Sequence, residues 1–218
     1  MTREPATGGV FISFEGGDGA GKSTQIKLLA DALRKNGADV VITREPGGSP
    51  GADAIRSLLL EGAADRWSPM AEALMMYAAR ADHLERTIEP ALARGAVVIT
   101  DRFADSTMAY QGIAGALGEA AVSSLHDLVV KGRDPALTII LDLPVDVGLA
   151  RSGASSGGEQ RFESKGAAYQ QQVRQAFLEI ARSNPSRCKV IDASGGVETV
   201  AARVLEAVKH AAPHLLGA

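Results

Sequence analysis

The chain has 218 residues, a formal net charge of −3 at pH 7 and a single cysteine, Cys188. No stretch approaches the roughly 20 unbroken apolar residues of a membrane span, and residues 1–9 lack the basic and apolar regions of a secretion signal. The negative charge argues against nucleic acid as a general partner. One cysteine excludes an internal disulfide, so we expect a cytoplasmic protein.

Five short apolar segments rich in β-branched residues predict buried strands at 10–14, 39–43, 96–100, 137–141 and 188–192. Helical patterns separate these segments, and strands that alternate with helices form a parallel sheet through right-handed crossovers. Apolar runs without alternation indicate strands that are covered on both faces. The sequence therefore predicts an α/β fold of three layers, a five-stranded parallel sheet flanked by helices.

The segment EGGDGAGKST, residues 15–24, follows the first predicted strand and opens a helix. It matches the P-loop pattern Gly-x4-Gly-Lys-Ser, in which glycines let backbone N–H groups converge on phosphate oxygens at a helix N-terminus. Lys22 would bridge the β- and γ-phosphates, and the Ser23 hydroxyl would ligate Mg²⁺. We therefore expect a P-loop NTPase fold that binds ATP through Gly16, Gly17, Asp18, Gly19, Ala20, Gly21, Lys22, Ser23 and Thr24.

The segment TREPGGSP, residues 43–50, follows the second predicted strand. Arg44 should therefore emerge at the carboxyl edge of the sheet, where ligands bind in open α/β folds. The same four residues, Thr-Arg-Glu-Pro, also occur at 2–5 with no strand before them. The position after a strand, and not the tetrapeptide alone, makes Arg44 a candidate.

A long helix is predicted from about Pro69 to Arg94. Its apolar residues recur at steps of three and four and predict one core-facing stripe, formed by Met70, Leu74, Tyr77, Ala81, Leu84, Ile88 and Ala91. Pro90 should distort the last turn of this helix.

The segment TDRFADSTMAYQG, residues 100–112, places Asp101 and Arg102 at the end of the third strand. In the helix that follows, Thr107 and Gln111 share a face. A carboxylate at a strand end should support the metal, and both Asp101 and Asp142 have such a position. Asp101 is the stronger candidate for this metal-supporting role because Arg102 follows it.

Residues 152–160, SGASSGGEQ, are small and polar and predict a short flexible lid over about 151–165, flanked by Arg151 and Arg161. We expect a single P-loop domain over residues 1–218, in which residues 1–9 form a disordered tail. The four histidines lack metal-ligand spacing, and we expect at least three of them at the surface.

The chain has no Asn-Lys-x-Asp base-recognition motif of a GTPase switch and is short for a motor, which leaves a kinase for a small acceptor. Its motifs resemble those of thymidylate kinase, a family of nucleoside monophosphate kinases that phosphorylates dTMP with ATP. The resemblance covers nearly the whole chain. It rests on the P-loop, REPGG at 44–48, YAARADH at 77–83, DRF at 101–103, AYQG at 109–112 and RFE at 161–163.

The resemblance implies roles for individual residues. Arg44 and Arg102 would hold the acceptor phosphate, and Arg80 and Gln111 would bind the thymine edge. Tyr110 would lie against the deoxyribose and leave no room for a 2′-hydroxyl. The complete dTMP set would be Arg44, Met76, Arg80, Arg102, Ser106, Thr107, Tyr110 and Gln111.

The resemblance also implies a catalytic set of Asp18, Lys22, Arg102 and Arg161. Arg151 would join the ATP site, and Ser23 and Asp101 would hold Mg²⁺. A lid arginine as the catalytic cation agrees with a P-loop whose variable positions, 17–20, carry no cation. Whether Arg151 or Arg161 contacts the transferring phosphate, and how the metal roles of Asp18 and Asp101 divide, both stay open.

One departure from the family concerns Met76, which occupies the position of a phenylalanine that stacks on thymine. Methionine packs against a ring with less specificity than an aromatic face. The expected function is dTMP phosphorylation to dTDP for dTTP synthesis, in a homodimer. The alternatives are a kinase relaxed among pyrimidine nucleotides and a non-catalytic ATP-binding module.

Overall fold

The structure is a computed structural model that describes residues 8–63, 65–115, 117–152 and 166–216. The strands are β1 (Val10–Glu15), β2 (Val40–Arg44), β3 (Val97–Asp101), β4 (Leu137–Asp142) and β5 (Cys188–Asp192). They form one parallel sheet in the order β2-β3-β1-β4-β5. All five predicted strands are therefore confirmed, each within one residue at either end.

Helices fill the connections between the strands. They are α1 (Lys22–Lys35), α2 (Pro50–Leu60), α3 (Pro69–His83), α4 (Glu89–Ala93), α5 (Ala104–Thr107), α6 (Glu119–Val130), α7 (Val145–Ser152), α8 (Gly166–Ser183) and α9 (Val197–Ala211). Two π-helical segments, Leu84–Ile88 and Met108–Ile113, continue α3 and α5, and a short 3₁₀ turn covers Pro213–Leu215. In the described part of the chain, no helix has the length and apolar content needed to cross a membrane.

The helices lie in two layers, one on each face of the sheet. One core joins α1 and α9 to strand residues such as Ile12, Phe14 and Ile139. On the opposite face, Phe11 and Val98 pack with α3 and α6, and Ile140 packs against α8. The predicted three-layer α/β fold is confirmed, and the alternation of side chains along each strand accounts for it.

The predicted apolar stripe on the long helix is wrong in its first half. Tyr77, Leu84, Ile88 and Ala91 are buried, but Met70 and Leu74 are 44% and 50% exposed, and Ala81 is exposed too. The first turns of α3 turn Ala73 toward the core and pack beside α2. The π-helical segment Leu84–Ile88 changes the phase of the helix, so a single 3.6-residue period does not describe both halves.

The distortion predicted from Pro90 lies in the turn before that residue. Proline has no N–H to donate, and its ring clashes with the carbonyl four residues earlier. That carbonyl belongs to Arg86, inside the π-helical segment.

At the start of the chain, Gly9 donates its N–H to the Leu92 carbonyl at 2.9 Å, so it is anchored and not part of a disordered tail. Residues 1–7 lie outside the described residues.

A partly buried ion pair ties α5 to the sheet. The Arg187 guanidinium, just before β5, donates to both carboxylate oxygens of Asp105 at 2.6 and 2.8 Å. The Thr138 hydroxyl of β4 donates to Asp105 at 3.2 Å and accepts from Arg187 at 3.1 Å. This three-residue contact fixes the first turn of α5, which begins two residues after Arg102.

We expect Arg187→Met to lower the free energy of unfolding by about 3 kcal/mol, because it leaves the Asp105 carboxylate buried without its cation. Chemical denaturation measures the change. Arg94→Met is the matched control, since the Arg94–Asp39 pair is 51% and 60% exposed and should contribute under about 1 kcal/mol. Equal losses for the two variants would contradict the expectation.

Candidate active site

The P-loop joins β1 to α1, and its lysine forms hydrogen bonds back to the main chain of the loop. Lys22, the first residue of α1, donates from Nζ to the carbonyls of Gly16 and Gly17 at 3.1 and 3.0 Å. Gly21 precedes the helix in a left-handed conformation with φ of 90°. The N-terminus of α1 and the Lys22 ammonium therefore lie on the same loop, as phosphate binding requires.

Two glycines allow the P-loop to touch α7 by backbone alone. A Cβ atom on Gly19 would lie 2.1 Å from the Gly148 carbonyl oxygen, and one on Gly148 would lie 2.6 Å from the carbonyl oxygen of Asp18. The same helix carries Arg151, which is exposed near its end. Arg161 lies outside the described residues.

The oxygen donors expected for a divalent cation lie together at the start of α1. Ser23 donates from its hydroxyl to Asp101 Oδ2 at 3.2 Å. A serine hydroxyl and a carboxylate suit Mg²⁺, which completes its coordination with water and phosphate oxygens. Asp142, the other carboxylate that the sequence offered, instead accepts two hydrogen bonds from Arg174 at 2.6 and 2.9 Å.

Arg102 links the P-loop to the residues that follow β3. Its backbone has a φ of 70°, a left-handed conformation that is uncommon for a residue with a side chain. Its guanidinium donates to the Gly16 carbonyl at 3.1 Å, to the Ser106 hydroxyl at 3.2 Å and to Asp18 at 2.5 Å. Burial opposes ionisation of Asp18, but the positive charges of Arg102 and Lys22 hold the pKa of its carboxyl below its ordinary value.

Glu15, the last residue of β1, is a buried acid with no role predicted from the sequence. It accepts hydrogen bonds from the Phe103 N–H at 2.8 Å and the Ser106 hydroxyl at 2.5 Å. Burial, followed by the negative charge of Asp105, raises the pKa of Glu15 to about 8, although the Ser106 bond and the Arg102 charge lower it. The alternation along β1 places Glu15 on the face of Phe11, toward α5, and could have identified it.

A cleft lies between α3 and the α5 segment, the name we use for α5 together with the π-helical segment Met108–Ile113 that continues it. This cleft contains most of the predicted acceptor residues. Its lining includes Met76, Arg80, Arg102, Ser106, Thr107, Tyr110 and Gln111. Arg44 is not among them: its side chain is 58% exposed, pairs with Asp53 at 3.4 Å and lines a neighbouring groove with Ser23 and Asp101. Thr24 is exposed on α1.

Arg80 is held rigidly inside this cleft. It donates to Glu45 at 2.8 Å and to the Thr107 hydroxyl at 3.0 Å, and its guanidinium lies 4.6 and 5.1 Å from the ring centres of Tyr77 and Phe103. Its Nη1 atom is buried and has no hydrogen-bond partner among the described residues. The two N–H groups of this nitrogen are therefore unpaired within the described part of the chain.

Glu45 and His83 support Arg80 from behind and had no predicted role. Glu45 Oε1 accepts from His83 Nδ1 at 3.0 Å, and His83 Nε2 lies 2.7 Å from the Thr43 hydroxyl. His83 is completely buried, unlike the surface positions expected for most histidines. Glu45 lies in REPGG and His83 ends YAARADH, so the motifs contained these residues without revealing their contact.

Comparison with known proteins places the chain among kinases. A family model described as thymidylate kinase matches residues 14–204. The thymidylate kinases of Caulobacter vibrioides and Ruegeria pomeroyi are 59% and 54% identical, over 93% and 92% of this chain and 97% and 94% of their own lengths. A crystal structure of thymidylate kinase from Ehrlichia chaffeensis has a TM-score of 0.74 at 34% identity and covers 93% of this chain and 99% of its own.

Glu15 should make stability depend on pH. Its pKa is raised from 4.5 to about 8 in the folded state, so the folded chain keeps a proton that the unfolded chain releases. The contribution to the free energy of unfolding is complete below about pH 4.5 and is lost as pH rises through 8. We expect a fall of more than about 1 kcal/mol across this range by chemical denaturation, and a flatter profile for Glu15→Gln. Parallel profiles would contradict the assignment.

Proposed function

The chain belongs to the thymidylate kinase family and phosphorylates dTMP to dTDP with ATP, and from that premise we propose that the P-loop is its donor site and the cleft around Arg80 its acceptor site. The contact set of Arg102 carries this proposal. One guanidinium bonds Gly16 and Asp18 of the P-loop and also lines the acceptor cleft. The two sites therefore meet at a single cation.

The reaction does not need a strong general base. The acceptor phosphate has a second pKa of about 6 and is mostly a dianion at neutral pH. One of its oxygens forms the new bond to the γ-phosphorus while the bond to the β,γ-bridging oxygen breaks and ADP leaves. Catalysis then consists of aligning two anions that repel each other and neutralising the phosphoryl group in transit.

The chain's own cations supply that neutralisation. Lys22 binds the β- and γ-phosphates, and Arg102 lies between the two reacting phosphates. Arg161, assisted by Arg151, brings a further charge from the lid at about 151–165. Ser23 and Asp101 would hold Mg²⁺, which would supply further positive charge to the donor phosphates, and Asp18 holds Arg102 in place between the sites.

The acceptor cleft selects the nucleotide by its lining. Arg80 offers its buried Nη1 to thymine, Gln111 binds the same base edge, and Met76 packs against the ring. Tyr110 lies against the deoxyribose. The register of β2 and β3 places Arg44 beside Asp101, next to Arg102. From there its side chain can reach the acceptor phosphate if it leaves its exposed ion pair with Asp53.

We also propose that the chain is one kinase domain that works in the cytoplasm as a homodimer and does not bind nucleic acid. The dimer proposal rests on an exposed apolar surface over α2, α3 and α6, which pack side by side. We call this surface the α2–α3–α6 face. It consists of Leu58, Met70, Leu74 and Leu128, each at least 44% exposed.

An ADP-release assay with Mg·ATP and dTMP, dUMP, UMP, dCMP, CMP, AMP and GMP tests the proposed acceptor site. We expect dTMP to be preferred. Arg80→Lys keeps the charge but loses the planar fork, so the KM for dTMP should rise about ten-fold while the KM for ATP stays unchanged.

The control is Arg86→Lys, the same substitution on an outward-facing arginine of the adjoining turn. An unchanged KM for dTMP in Arg80→Lys would refute the acceptor role of Arg80. Equal activity with all pyrimidine nucleotides would instead show that Met76 leaves base selection relaxed.

Leu74→Glu should convert the dimer to a monomer, because it places a charge in the middle of the α2–α3–α6 face. Light scattering coupled to size exclusion measures the mass. Val197→Glu, at an equally exposed apolar residue on α9, is the control and should stay dimeric. A Leu74→Glu variant that keeps the mass of the parent would reject this interface.

A further inference from the structure

Glu72 makes a buried hydrogen bond to Gln111 that crosses from α3 to the α5 segment. Gln111 Nε2 donates to Glu72 Oε1 at 2.7 Å. The two side chains belong to residues that are 4% and 5% exposed, so water does not compete strongly for this bond. Gln111 also lines the acceptor cleft with Met76 and Arg80.

The chemistry of this contact fixes the orientation of the Gln111 amide. An amide has a donor end and an acceptor end, whereas a carboxylate only accepts hydrogen bonds. The end of Gln111 that faces Glu72 must therefore be the NH₂ group. The opposite end, the Oε1 acceptor, is then the end that serves the cleft.

We propose that Glu72 is a positioning residue that sets base specificity by presenting the Gln111 carbonyl oxygen, and not its NH₂ group, to the nucleotide base. The proposal rests on the proposed function, in which Gln111 and Arg80 bind the base edge. Glu72 does not touch the base; it acts through Gln111.

The resulting pattern of donor and acceptor matches thymine and excludes cytosine. Thymine presents the O4 acceptor beside the N3–H donor, which fit the Arg80 donor and the Gln111 acceptor. Cytosine presents an N4 amino donor beside the N3 acceptor. Its N4 donor would therefore face the Arg80 donor, and its N3 acceptor would face the Gln111 acceptor, so neither hydrogen bond could form. Uracil has the same edge as thymine, so this pattern does not separate the two.

The position of Glu72 on α3 supports this role. Glu72, Met76 and Arg80 are spaced by four residues and therefore share one face of the helix, the face that borders the cleft. Burial of a carboxylate costs free energy unless it is hydrogen-bonded. A buried acid on this face, bonded to a base-binding amide, is better explained by orientation of that amide than by packing.

The test compares kcat/KM for dTMP, dUMP and dCMP in the parent enzyme, Glu72→Gln, Gln111→Ala and the double variant. Glu72→Gln is nearly isosteric, but its amide can either donate or accept, so Gln111 is free to turn over. We expect the dTMP-to-dCMP ratio to fall about ten-fold or more in Glu72→Gln, since a mismatched base contact is worth about 1–3 kcal/mol. The dTMP-to-dUMP ratio should not change, whereas mere loosening of the cleft would not single out dCMP.

The double variant decides whether Glu72 acts through Gln111. In the Gln111→Ala background, Glu72→Gln should leave the dTMP-to-dCMP ratio where Gln111→Ala alone placed it. A further fall of the same size, or an unchanged ratio in Glu72→Gln itself, would overturn the inference. Tyr169→Phe is the control, because it removes a partly buried hydrogen bond nearby, to the Tyr110 carbonyl, and should keep the ratio.

Failure of the proposed function would look different. If Gln111→Ala left both kcat/KM for dTMP and the dTMP-to-dCMP ratio unchanged, Gln111 would not bind the base, and the proposed acceptor site and this inference would both fall. A normal effect of Gln111→Ala with no effect of Glu72→Gln would overturn only the inference.

Discussion

The placement of the Arg102 guanidinium is the constraint on which the site depends. The guanidinium donates to Ser106 of α5 and to Asp18 of the P-loop, and Glu15 at the end of β1 accepts a hydrogen bond from the same Ser106. The backbone of Arg102 is left-handed at this position. A buried arginine is stable only where acceptors satisfy its donors. The sheet meets this need because β1 and β3 are neighbours, so their carboxyl ends bring the P-loop and Arg102 together.

A second principle of the site is that buried carboxylates orient the groups that we propose bind the nucleotide. Asp18 fixes Arg102, Glu45 fixes Arg80, and Asp105 fixes the start of α5 through Arg187. Each acid is largely buried beside a cation or a hydrogen-bond donor. These contacts hold the cleft in shape before the nucleotide binds, which reduces the entropic cost of ordering its side chains on binding.

The sequence was informative wherever a residue's role follows from its position on a strand or in a loop. The ends of β1 and β3 and the P-loop could be placed because strand period and glycine spacing are local, and they located Lys22, Ser23 and Asp101. The support that Glu45 and His83 give to Arg80 was not predictable, since these two residues meet across 38 residues and no local period records such a contact. The exposed side of α3 was misjudged for a related reason, because apolar periodicity does not distinguish a core from a surface that another chain could cover.

The contact between Gly19 and Gly148 limits how this sequence can drift. At each position a Cβ atom would meet backbone, the Gly148 carbonyl in one case and the Asp18 carbonyl in the other. Because the nearest atoms that each Cβ would meet belong to the main chain, a substitution at one glycine cannot be compensated by a smaller residue at the other. Each of the two positions therefore requires glycine. The main chain itself sets the distance from the P-loop to the helix that carries Arg151.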